Sequence, residues 1–108
     1  MNEITIDLLR QMCNNRAIKF TAHILARLEE RGIFPSDIRR CINIGRIIEQ
    51  YPDDFPYPSC LVLGCTVEDK PLHVVIGIGE GKLWLVTAYY PNPDKWEDDF
   101  SKRKEHEA

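Results

Sequence analysis

Absences narrow this 108-residue sequence first. No apolar run approaches the ~20 residues needed to cross a bilayer. The opening MNEITIDLLRQMC lacks the basic start and greasy run of a secretory signal. Both absences argue against a membrane partner and place the chain in the cytoplasm. A basic excess is missing as well, since the net charge is −3. Residues 1–50 hold eight Lys/Arg against six Asp/Glu, and residues 51–108 hold six against eleven. That balance excludes a general nucleic-acid coat, which would be basic throughout, and leaves room for a local anion site in the front half. The four cysteines, Cys13, Cys41, Cys60 and Cys65, form no CxxC pair. Structural zinc sites usually show such close pairs, so these residues read as free thiols packed as small apolar groups. No structural zinc, no disulfide and no cofactor is expected. Internal repeats and linkers are absent too.

What is present fits one domain. Hydrophobic residues make up 44% of the chain, enough for a core without staples. ITIDLLRQMCNN is a short amphipathic helix with Ile6, Leu9 and Met12 on one side. Thr21 is a natural N-cap and Gly32 a natural stop for a second helix, in which Ile24, Leu25 and Leu28 share one face. A third helix enters at Pro35 with Ser36 or Asp37, shows Ile38, Cys41 and Ile42 on its apolar face, and stops at Gly45. There the period changes. RIIEQY, CLVLGCTV, LHVVIGIG and LWLVTAYY read as four strands, separated by the Pro-rich PDDFPYPS and by short turns at EDKP and EGK. The expected fold is α+β, with N-terminal helices packed on one face of a four-stranded antiparallel meander and the other face partly open. The domain spans residues 1–96, and residues 97–108 form a charged, frayed tail.

Several side chains could do chemistry. His23, Arg27 and Arg31 recur at steps of four along the flank of the second helix. In LHVVIGIG, His73, Val75, Gly77 and Gly79 share one face, and the paired glycines should leave a groove beside His73. Thr87 and Tyr89 share a face of the last strand. Taken singly, each has an ordinary structural role: flank arginines cover the core with their stems, and aromatics fill it. Function needs them to converge.

Four blocks in order resemble a bacterial family, the domain of unknown function 4258. They are FTAHILARLEERGI, IIEQYPDDFPYPSCLVLG, KPLHVVIGI and LVTAYYPNPDKW, together covering roughly residues 18–96. The resemblance implies the fold of RelE/ParE-like toxins and of the wider barnase/colicin-type ribonuclease superfamily. It also implies a toxin of a toxin-antitoxin type system acting as a metal-independent RNA endonuclease, with RNA or the ribosome as target and a cognate antitoxin protein as partner. Such cleavage needs a base for the 2′-hydroxyl, an acid for the leaving 5′-oxygen and cations for the phosphate. Residue by residue, the resemblance puts His23, Arg27, Arg31, His73 and Tyr89 in the catalytic set, with Lys95 and Trp96 as RNA contacts. His23, Arg27, His73 and Tyr89 should then face one cleft. The alternatives are a non-enzymatic protein-binding module on the same fold, with structural histidines, and a metal-binding protein using the histidines and cysteines.

Overall fold

The computed structural model describes residues 3–15 and 18–104. Three helices come first: α1 (Ile6–Asn15), α2 (Ala22–Arg31) and α3 (Pro35–Ile44). Four strands follow: β1 (Arg46–Tyr51), β2 (Ser59–Cys65), β3 (Pro71–Gly79) and β4 (Lys82–Tyr89). They form one antiparallel sheet in the order β1-β2-β3-β4. The architecture is α+β, with the period change at Gly45 as its boundary. Among the described residues, no helix is long and apolar enough to cross a membrane.

Local chemistry sets the helix limits. The Thr21 hydroxyl accepts a hydrogen bond from the Ile24 N–H at 3.1 Å, and Gly32 stops α2 in the left-handed region at φ 69°. At the start of α3, the buried Asp37 carboxylate accepts from the Phe34 N–H at 2.8 Å and from the Val67 N–H at 2.9 Å. One side chain thereby caps α3 and ties it to the β2–β3 turn.

The helices cover one face of the sheet, called inner below. Leu9, Leu28, Ile38 and Ile42 meet Val62, Val74, Ile76 and Leu85 there in the main core. The α3 backbone lies very close to the sheet. A Cβ on Gly64 would stand 2.6 Å from the Cys41 carbonyl oxygen, and one on Gly45 would stand 2.4 Å from that of Leu63. Glycine is required at both places for proximity. The α2 face is narrower than its pattern suggests: Leu28 is buried, Ile24 is half-buried and Leu25 is exposed. Lys19 adds a short parallel segment to β4, taking its N–H to Leu83 and its carbonyl to Leu85.

The other, outer face departs from expectation. It is covered by two pieces of chain. The Tyr57 ring fills the space above Gly79, where an added Cβ would fall 2.1 Å from its Cδ1, and it stacks on Trp84 with ring centroids 5.7 Å apart. The groove expected beside the paired glycines is therefore occupied by the Pro-rich loop. The second piece is residues 96–104, here called the strap. Trp96 is buried and Phe100 half-buried, and Trp96 forms an isolated bridge with Arg103. Residues 97–104 are thus packed on the sheet, not frayed; the remainder of the expected tail lies outside the described residues. Trp96 brings one aromatic ring to a second, smaller core with Leu61 and Val75.

Candidate functional site on the outer sheet face

Strand register decides which side chains meet. Arg46 pairs with Leu63, Leu63 with His73, and His73 with Tyr89, giving one row across all four strands. The next row runs Glu49, Leu61, Val75, Thr87. Tyr51 lies opposite Ser59 in the row after that. These rows lie on the outer face, because Leu61 and Val75 belong to the outer core and the alternate residues Val62 and Val74 to the inner one. A bulge between Ile47 and Glu49 brings Arg46 and Glu49 to the same face despite their odd spacing.

His73 lies at the centre of this face, fully buried. Trp96 meets its ring edge-on at 4.4 Å between centroids, and Tyr89 does so at 5.3 Å. Its Nε2 is 2.9 Å from the Phe100 carbonyl oxygen. A carbonyl only accepts, so Nε2 carries the proton and Nδ1 the lone pair. That Nδ1 is buried and has no hydrogen-bond partner. Burial pushes the His73 pKa below its usual value of 6.5; the Phe100 bond and the Glu49 charge oppose this, and Arg103 adds to it. His73 is therefore a neutral imidazole with a free lone pair at pH 7.

Glu49 organises the neighbouring polar groups. Arg103 grips it with two bonds, Nε to Oε2 at 2.9 Å and Nη2 to Oε1 at 3.1 Å, and the Tyr51 hydroxyl donates to Oε1. Burial would raise the Glu49 pKa, but the bonds from Arg103 and Tyr51 outweigh it and hold the carboxyl below its usual range. Tyr51 is pushed up to about 12 by burial and by its bond to Glu49. Burial also raises Tyr89, against Arg103, so its hydroxyl stays protonated through the neutral range. The Arg103 guanidinium lies 4.7 Å over the Trp96 ring. Imidazole, carboxylate, two phenols and a guanidinium share one sheet face.

The residues singled out from the sequence do not all meet here. His73, Tyr89 and Trp96 do. His23 and Arg27 do not: both are exposed on α2, which packs by Leu28 into the inner core, and neither joins the contacts around His73. Arg31 takes a structural place, donating to the Ala88 carbonyl at 2.8 Å and to the Thr87 hydroxyl at 3.2 Å, which fastens the end of α2 to β4. Lys95 is exposed beside Trp96. Among the described residues, no hydrogen bond or ring contact joins His23 or Arg27 to His73 or Tyr89, and the groups around His73 come from the sheet and the strap. Four groups escaped the sequence reading: Arg46, Glu49, Tyr51 and Arg103. RIIEQY carried the first three in plain view, but a regular strand puts Arg46 and Glu49 on opposite faces, and only the bulge unites them.

Comparison with protein families places this arrangement. The family described as a domain of unknown function (DUF4258) matches residues 20–90. The chain belongs to that family. No curated protein and no solved structure matches the chain. The DUF4258 span contains Arg46, Glu49, Tyr51, His73 and Tyr89, whereas Trp96, Asp99, Phe100 and Arg103 lie beyond it.

Proposed function

We propose that this protein is a toxin-like, metal-independent RNA endonuclease whose reacting groups lie on the outer sheet face around His73, not on the α2 flank. One observation carries the reading: a fully buried neutral histidine with an unpartnered Nδ1. Buried polar atoms are normally bonded, and an orphan lone pair beside charged groups is an expensive feature that proton transfer would explain. In the proposed reaction, His73 Nδ1 takes the 2′-hydroxyl proton and the 2′-oxygen attacks phosphorus. The bond to the 5′-oxygen breaks, and Tyr89 returns a proton to it, leaving a 2′,3′-cyclic phosphate and a 5′-hydroxyl. Arg46, in the same row and two strands from His73 (about 10 Å), supplies the fixed cation for the phosphate. The toxin-antitoxin setting, the RNA or ribosome target and the RelE/ParE-like kinship belong to this proposal as the family resemblance suggests them.

The test is cleavage of a single-stranded oligoribonucleotide in excess chelator. Wild type should cleave. His73→Gln, which can still donate to the Phe100 carbonyl, should lose activity by roughly 100-fold or more, the usual size of an acid/base contribution. His23→Ala and Arg27→Ala should retain it. Activity that survives His73→Gln but vanishes with His23→Ala would return the chemistry to the helix.

A second reading, the non-enzymatic protein-binding module, is favoured by a different feature. A cavity of ≈ 420 Å³ is lined by Ile24, Phe55, Pro56, Trp84 and Val86, among others. Phe55 is 91% exposed at its rim. An apolar surface of this kind suits a protein partner such as an antitoxin. A wild type with no cleavage activity, whose partner binding is lost in Phe55→Asp, would favour this reading.

A further inference from the structure

The strap engages the polar groups of the outer face one by one. The Phe100 carbonyl accepts a hydrogen bond from His73 Nε2, and Trp96 covers its ring. Arg103 holds both oxygens of Glu49. The Asp99 carboxylate stands 3.9 Å from the Arg46 guanidinium. An aromatic ring on the central imidazole and an anion at the row's cation are what a nucleotide would also place there: a base to stack and a phosphate to pair. The contacted groups Arg46, Glu49 and His73 lie within the DUF4258 span, and the contacting ones lie beyond it. The strap's apolar hold is the buried Trp96 with Phe100 beside it, and its ionic hold is modest. Arg103 and Asp99 have side chains 59% and 66% exposed, and exposed ion pairs are weak.

We infer that the outer face is a binding site for a single-stranded phosphodiester chain and that residues 96–104 are an intramolecular occupant competing for it. This rests on the proposed function for the identity of the ligand. Binding then requires the strap to lift, exposing His73 and freeing Arg46. Apparent affinity is the intrinsic affinity scaled by the open fraction.

The sign of one substitution tests this. Arg103→Ala removes a positive charge, so simple electrostatics predicts weaker binding of a polyanion. An occupant model predicts tighter binding, because the strap loses its grip on Glu49. The probe is a fluorescent oligouridylate with 2′-O-methyl groups, which binds without offering a 2′-hydroxyl for cleavage. Binding is read by anisotropy in the full chain. Hydrogen exchange at Glu97, Phe100 and Lys104, whose N–H groups bond to Lys102, Glu97 and Lys95 within residues 95–104, reports loosening of the strap itself. The expected result is faster exchange and tighter binding by up to about fivefold, as for a strap closed most of the time that loses one exposed ion pair. Equal or weaker binding overturns the inference. A second variant repeats the question at the anion: Asp99→Ala should bind more tightly than Asp98→Ala, which makes the same change of net charge beside it. Equal affinities of the two would overturn the stand-in role of Asp99. Cleavage of the unmethylated oligomer is followed alongside. Tighter binding without cleavage in any variant leaves the strap standing and removes the nuclease reading alone.

Discussion

The two faces of the sheet solve the same problem in opposite ways. The inner face is closed by three helices through aliphatic contacts, with Leu28, Ile38, Ile42, Val62, Val74 and Ile76 removed from water. The outer face is closed by a strap and a loop through one histidine, an ion pair and four aromatic rings. Apolar burial is non-directional and cumulative. Polar closure is directional, and exposed ion pairs contribute little. The inner face therefore holds the fold, and the outer face holds groups that a competing ligand could claim.

That contrast can be broken by mutation. The largest loss is expected from Ile76→Ala, which opens a cavity in the inner core. It should cost roughly 2–5 kcal/mol in denaturant unfolding. Gly64→Ala comes next, at about 1–3 kcal/mol, because its methyl would meet the α3 backbone at Cys41. On the outer face, Arg103→Ala should cost about 1 kcal/mol or less, since its side chain is largely exposed. A loss as large as that of Ile76→Ala would make the strap part of the core and remove the distinction between the faces.

Acidification sharpens the comparison. The folded His73 pKa lies below 6.5, so the unfolded chain takes up this proton first. The stability His73 confers is complete above pH 6.5 and is lost as pH falls below it toward the folded value. Glu49 acts the same way in a lower window, below its usual 4.5. The urea midpoint of wild type should therefore fall between pH 7.5 and 5.5, and fall less in His73→Gln. An equal fall in both proteins would show that His73 is not buried as the neutral form. The smallest effect belongs to Arg46→Ala. Its partner Asp99 is 3.9 Å away across solvent, so the melting temperature should not move, while binding of the methylated oligomer should weaken. A drop in melting temperature with unchanged binding would assign Arg46 to the fold.

Sequence by itself determined the element order and the α+β class. Caps such as Thr21 and Gly32, and the switch from a helical to an alternating period at Gly45, are local signals acting over a few residues. Local pattern also placed His73 and Tyr89 each on one face of its own strand, and the β3–β4 register made those faces one. It could not show that Tyr57 fills the space above Gly79, because that contact joins a loop to a strand 22 positions away. Nor could it separate His23 from His73. Each lies on one face of its own element, and only tertiary contacts, Leu28 of α2 in the inner core and His73 against Trp96 and Phe100 on the outer face, show which groups gather around His73. Glu49 joined the site through a one-residue bulge that reverses facing, and Arg103 through a strap that looked like a solvated tail by composition. Periodicity fixes which face of an element is apolar; which faces meet is decided by long-range packing and strand register, and that is where this site is made.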